Sequence, residues 1–140
     1  MKVLLAVDGS AYTKRMLAYL AAHDELLGTG CEYLAITVVA SITARAARFL
    51  DKQVVDDYYQ DEAEAVLQPV QAFAKMQGWS LRVLKTHGHA AETIAEVARE
   101  EKADLIVMGS HGHSALGNMV MGSVAMSVMA RCSVPALLIR

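Results

Sequence analysis

The chain is poor in cysteine, proline and aromatic residues, and it has no block of one charge. Its two cysteines, Cys31 and Cys132, are too far apart in sequence for a redox pair and too few for a zinc site, so both are read as reduced, structural thiols. Thirteen Lys and Arg stand against fifteen Asp and Glu, a net charge of -2, and the cations do not cluster. Neither a basic face for nucleic acid nor a polybasic patch for a membrane surface is expected. Long apolar runs are missing as well. The run before Asp8 is five residues, shorter than the core of a signal peptide, and none approaches the length of a membrane span, so the expected location is the cytoplasm. Repeats, linkers and low-complexity tracts are also lacking. With 140 residues, 54% of them hydrophobic, residues 1–140 are read as one globular domain with a proper core. Small molecules and proteins remain as partners.

What the chain does have is an alternation of apolar runs with helix-period segments. Lys2 to Val7 is an apolar run that stops at Asp8-Gly9-Ser10, the pattern of a strand buried on both faces of a parallel sheet. Ala11 to Leu27 carries Met16, Leu17, Leu20, Ala21 and Leu27 at helical spacing ahead of Gly28 and Gly30, and reads as one helix. Tyr33 to Val39 is a second strand. Residues 40 to 53 lack a clean period and are expected to form a loop with a short helical piece. Val54 to Gln77, closed by Gly78, reads as a helix that Pro69 should kink or break. Ser80 to His87, Ala91 to Glu101 and Ala103 to Gly109 give strand, helix and strand; Ser123 to Ala130 is a last helix and Val134 to Arg140 a fifth strand. Such alternation predicts an α/β fold, an open five-stranded parallel sheet in the order 3-2-1-4-5 with helices on both faces. In sheets of this type ligands lie beyond the carboxyl ends of the strands where the order reverses, which sets Asp8 beside Gly109.

Four of the nine glycines, Gly109, Gly112, Gly117 and Gly122, fall between the fourth strand and the last helix. Glycine is wasteful in a mere connector and suits backbone that must approach a ligand. The segment ends at the N-cap of a helix, whose unpaired N–H groups and positive dipole end favour phosphate. Two common phosphate motifs do not fit: GxGxxG is absent, and Gly117 to Ser123 has the Walker spacing without its lysine.

A third pattern fits in full. Gly109, two residues, Gly112, nine residues and Gly122-Ser123 resemble the G-2x-G-9x-G-[S/T] nucleotide loop of the universal stress protein family. The resemblance runs through the whole chain: VDGS after the first strand, TVV at the end of the second, VMGSHG at the entry to the loop, and SVPALLIR at the finish. It implies a Rossmann-like five-stranded sheet and ATP, or AMP or ADP, as ligand, with Mg²⁺ accompanying the triphosphate. Residue by residue, it implies that Asp8 lies near base and ribose, where a carboxylate can accept hydrogen bonds from sugar hydroxyls, and that Val38 offers backbone groups to the adenine edge. Met108 and Gly109 resemble the positions beneath ribose and phosphates. Gly112, Gly122, Ser123 and Val124 resemble those whose N–H groups, with the Ser123 hydroxyl, hold the phosphate chain. Ala6 stands where many ATP-binding members of the family resemble one another in carrying proline. The resemblance also implies a homodimer formed through the last strand, Pro135 to Ile139, across Ala136, Leu137, Leu138 and Ile139, which would cover an otherwise unpaired sheet edge.

Other features are read more plainly. The pairs His87/His89 and His111/His113 lie on strand-to-helix loops without a Cys or carboxylate set, so no metal site is expected of them; His111 and His113 are candidates to touch phosphate or close over it. Met108, Met119, Met121, Met126 and Met129 read as adaptable packing around loop and helix. Asp56, Asp57, Asp61, Glu62 and Glu64 read as a solvated helix face. No lysine or arginine is positioned by motif for phosphoryl transfer, so any ATP hydrolysis is expected to be slow. The expected function is that of a stress-response regulatory protein whose bound adenine nucleotide changes how it engages protein partners. The alternatives are an ATP-hydrolysing or adenylate-forming enzyme on the same fold, and an interaction module with an empty loop.

Overall fold

The computed structural model describes residues 1–113 and 120–140. Strands β1 (Lys2–Ala6), β2 (Glu32–Val39), β3 (Ser80–His87), β4 (Leu105–Gly109) and β5 (Ala136–Ile139) form one parallel sheet in the order β3-β2-β1-β4-β5, as the alternation predicts. Helices α1 (Ala11–Ala22) and α4 (Lys52–Gln77) cover one face, and α5 (Ala90–Glu100) and α6 (Ser123–Arg131) the other; α2 (Asp24–Leu27) and α3 (Ala44–Ala47) are single turns in the connections. The central strands are apolar without a break because both of their faces are covered. Val3, Leu5, Tyr33, Ala35 and Val107 point into the layer under α1 and α4, while Leu4, Leu34, Ile36, Ile106 and Met108 point into the layer under α5 and α6, the period of two that a strand imposes. Val3, Leu4 and Leu5 are fully buried, and each such side chain contributes about 1.5–3 kcal/mol.

Three expectations about the helices are corrected. The segment from Ala11 to Leu27 is two helices, because His23 leaves helical geometry at φ -124° and ψ 44°. Its ring stacks on Tyr19 with centroids 4.1 Å apart, and its Nδ1 lies 2.8 Å from the Tyr19 carbonyl oxygen, so the side chain closes the helix in place of the next turn. Leu27 reaches the core from α2. Secondly, α4 starts at Lys52 and runs unbroken through Pro69. Ala63, Leu67, Val70 and Ala74 form its buried stripe, and both Pro69 and Ala65, whose carbonyl loses its partner, are exposed. Water can satisfy that carbonyl while the stripe holds the helix on β2 and β3. Thirdly, Met126 and Met129 are not packing residues: they are 52% and 49% exposed on α6, whereas Met108 is core. Met119 lies outside the described residues. Asp56, Asp57, Asp61 and Glu62 are exposed along α4, and Glu64 is half-buried. Cys31 belongs to one core layer and Cys132 packs against the other, and both are free thiols. No described helix is long and apolar enough to cross a membrane.

Candidate functional site

The chain leaves β1 toward β2 and leaves β4 toward β5, on opposite sides, so the order reverses between β1 and β4. Their register pairs Ala6 with Met108 and brings the two carboxyl ends level. Beyond them lies a cavity of about 420 Å³, within the range of small-molecule sites, about 300–1,000 Å³. One end is apolar, formed by Ala6, Ile36, Val38, Ala40, Ala90, Ile94 and Met108. The other is polar, formed by Asp8, Thr13, Gly109, His111, Gly112, His113, Ser123 and Val124.

Asp8 is fixed by the start of α1. Its Oδ1 accepts from the Ser10 N–H at 3.0 Å and from the Thr13 hydroxyl at 2.9 Å, and its own N–H donates to Thr13 Oγ1 at 3.1 Å. Oδ2 faces the loop that follows β4. A Cβ on Gly112 would stand 2.5 Å from this oxygen, so the backbone at 112 lies beside the carboxylate only because it carries no side chain. Gly109 is constrained in the same way: a Cβ there would stand 2.5 Å from Tyr12 Cβ and 2.9 Å from the His111 carbonyl oxygen.

The opposite wall is the N-terminus of α6. Its N-cap is Gly122, and the bond from the Met126 N–H to the Gly122 carbonyl, 3.0 Å, is the first of the helix. The N–H groups of Ser123, Val124 and Ala125 precede that bond, and all three residues line the cavity. Such a terminus carries partial positive charge, and no acidic residue occupies its first turn. Gly122 is engaged within the loop. Its N–H donates to the Ser110 carbonyl at 2.7 Å, tying the exit of the loop to its entry, and a Cβ there would meet His111 Cα at 3.1 Å and the Ser110 oxygen at 3.2 Å. The N–H groups that precede the first bond of α6 therefore begin at Ser123.

His111 Nδ1 lies 3.0 Å from Ser110 Oγ and its ring sits 5.2 Å from that of Tyr12. His113 Nε2 lies 2.7 Å from the Asp8 carbonyl oxygen. His87 packs instead against Tyr59 with the rings tilted and their centroids 4.2 Å apart, and neither His87 nor His89 lines the cavity. Among the described residues no three or more His, Cys, Asp or Glu converge as a metal site.

Of the ten residues singled out in the sequence, nine line this cavity: Ala6, Asp8, Val38, Met108, Gly109, His111, Gly112, Ser123 and Val124. Gly122 stands behind it as a closure, and Gly117 lies outside the described residues. His113, a candidate from the sequence to touch phosphate, lines it too, as do Thr13, Ala40, Ala90 and Ile94, which the sequence motifs do not reach. Among the latter only Thr13 carries a signal. It follows the N-cap Ser10 by three residues, the position from which a side chain reaches back over the helix start.

An open parallel sheet with a cavity at its point of reversal, lined by apolar and polar residues, is an α/β domain of the doubly wound class. The chain belongs to the universal stress protein family, whose profile matches residues 1–140. It is 32% identical over 139 residues to the universal stress protein Slr1230 of Synechocystis, covering 99% of this chain and 42% of that one. A Thermus aquaticus universal stress protein is 31% identical over 138 residues, 99% of this chain and 97% of its own length. This chain thus spans less than half of the cyanobacterial relative and nearly all of the Thermus one. Among solved structures it shares the fold of universal stress protein UspA from Lactobacillus plantarum, with a TM-score of 0.81 at 20% identity over 100% and 97% of the two chains. The protein MJ0577 gives a TM-score of 0.79 at 23% identity, over 99% and 94%. Further solved members of the same fold are complexes with cAMP, with AMP and with dAMP.

Proposed function

We propose that this chain is a cytoplasmic adenine-nucleotide-binding protein of the stress response, which takes up ATP, AMP or ADP in the cavity beyond β1 and β4 and engages regulatory protein partners according to what is bound. One observation carries the reading: a fixed carboxylate and an uncapped helix N-terminus face the same cavity, an acceptor suited to ribose hydroxyls and donors suited to phosphate. In this reading adenine packs against Ala6, Val38 and Met108, Asp8 Oδ2 accepts from the ribose, and the N–H groups of Ser123 to Ala125 with the Ser123 hydroxyl hold phosphate. A carboxylate beside phosphate would repel it, which assigns Asp8 to the nucleoside end. The cAMP, AMP and dAMP complexes of proteins with this fold support the ligand class.

Among the described residues Asp8 is the cavity's one acidic group, so Mg²⁺ would travel with the triphosphate, held mainly by phosphate oxygens and water. No Lys or Arg lines the cavity, and Ser114 to Met119 contain none. Phosphoryl transfer would lack the side-chain cation that helps to stabilise its transition state, and turnover is expected well below about 1 per second. The small molecule released by heat from the purified protein, identified by mass, tests the reading. An adenine nucleotide is expected; a protein that releases none and takes up none when ATP is supplied contradicts it.

The proposal includes a homodimer across β5. This strand pairs with β4 and stands at the end of the sheet order, and Ala136, Leu137 and Leu138 are half-buried while Ile139 is core. A two-fold mate would satisfy both edges. Leu138→Lys should give monomer or aggregate in light scattering; an undiminished dimer would put the interface elsewhere.

A further inference from the structure

The polar end of the cavity holds no permanently positive side chain. From Leu105 to Ala130 the ionisable residues are His111 and His113, and the first arginine is Arg131 at the far end of α6. From the other walls, β1 and the start of α1 bring the Asp8 carboxylate, whereas the lining residues of β2 and α5 are uncharged. Arg15 lies outside the cavity lining, with its guanidinium carbon 5.2 Å from the centre of the Tyr12 ring. Whatever charge the lining side chains oppose to a phosphate chain must come from imidazole.

His113 is held for that role. A carbonyl only accepts, so the 2.7 Å contact to the Asp8 oxygen requires the proton on Nε2. That leaves Nδ1 as the nitrogen that gains or loses the second proton. The same bond ties the loop after β4 to the turn after β1 and keeps the ring on the cavity wall. Building on the nucleotide reading, we infer that His113 is the specificity-determining residue for phosphate number: as imidazolium it favours the longer phosphate chain, and as neutral imidazole it does not. The sign follows from linkage. A bound phosphate chain favours the protonated ring, so binding takes up a proton. The preference for ATP over adenosine is present while the ring carries the second proton and is lost where it does not. With His113 neutral, the phosphates keep the N–H groups of α6 and the Ser123 hydroxyl but lose this charge.

Calorimetric titrations of adenosine and ATP into the full chain and into His113→Gln, at about pH 6 and about pH 8, test this. Glutamine keeps a donor for the Asp8 carbonyl and removes the titration. The terminal phosphate of ATP itself gains a proton near pH 6, equally for both proteins, so the quantity to compare is the ATP-to-adenosine affinity ratio of each. At the lower pH the ratio should be about tenfold higher in the unmodified chain, the scale of one partly screened charge pair, and at the higher pH the two ratios should converge. Repeating the ATP titration in buffers of different ionisation enthalpy should show greater proton uptake by the unmodified chain. Equal ratios in both proteins at both pH values, with adenosine still bound, overturn this inference alone. Failure of the unmodified chain to bind either compound overturns the nucleotide reading and this inference together.

Discussion

The two ends of the sheet are built from opposite materials. At the amino ends of the strands, charges satisfy one another across connections distant in sequence. Arg82 on β3 meets Glu101 at 2.6 Å, Lys2 Nζ lies 3.6 Å from the same carboxylate, and the Lys2 N–H donates to Asp104 Oδ2 at 2.7 Å while the Asp104 N–H donates to the Lys2 carbonyl at 2.8 Å. The hydrogen bond from Arg82 is the main reason that Glu101 is held below the ordinary carboxylate range. At the carboxyl ends, no Lys or Arg lines the cavity; Asp8 is held through one oxygen by a neutral N–H and a hydroxyl, and the first donors of α6 open onto the same space. One end closes the chain on itself. The other keeps an acceptor oxygen and a helix terminus directed at a ligand.

This contrast can be broken at four points, in descending order of expected effect. Gly112→Val places a branched side chain against Asp8 Oδ2 and the phosphate path, and should weaken ATP by about 100-fold or more, about 2.7 kcal/mol, in a protein whose circular dichroism is unchanged. Asp8→Ala removes the acceptor of two hydrogen bonds, so urea unfolding should show a loss of about 1–3 kcal/mol, and adenosine and ATP should weaken by similar factors. Loss confined to ATP would put Asp8 at the phosphates. Glu101→Gln acts at the amino end and should leave nucleotide affinity unaltered, with a stability cost smaller than that of Asp8→Ala. Because its carboxyl is held below the usual value of 4.5, that cost should be present at neutral pH and vanish as pH falls through the depressed folded value, which denaturation at a series of acid pH values measures. The smallest effect belongs to Ser10→Ala. Ser10 is the N-cap of α1 but its side chain caps nothing, and its buried hydroxyl has no hydrogen-bond partner among the described residues. A working cap would cost about 1 kcal/mol on this change, whereas here the melting midpoint should hold or rise slightly.

The amino-acid pattern makes the sheet legible because Val3 to Leu5 and Ile106 to Met108 are buried on both faces, and an unbroken apolar run this short, stopped by turn residues, suits a doubly covered strand. From strand order alone Asp8 and Gly109 come together. The end of α1 is not legible, because Leu27 keeps the helical spacing while the turn at His23 depends on a ring stacking one turn back on Tyr19. Pro69 signals a break that does not occur, since the carbonyl it deprives of a partner faces water and the buried stripe opposite decides the outcome. His113 acts on Asp8 through a bond that exists only once β1 and β4 are neighbours, whereas Thr13 reaches Asp8 locally, from the first turn of α1. The glycine spacing locates the loop but cannot tell which N–H groups remain for a ligand; that the Gly122 N–H is engaged depends on a carbonyl twelve residues earlier, at Ser110.

The account rests on the carboxyl-end cavity being the nucleotide site, and backbone amide shifts of the ¹⁵N-labelled chain during titration with ATP test this most directly. Saturable shifts are predicted at Val38, Gly112, Ser123, Val124 and Ala125, with Lys2, Arg82 and Glu101 unmoved. Shifts centred on the amino-end charges, or no saturable shift at the α6 terminus, would contradict it.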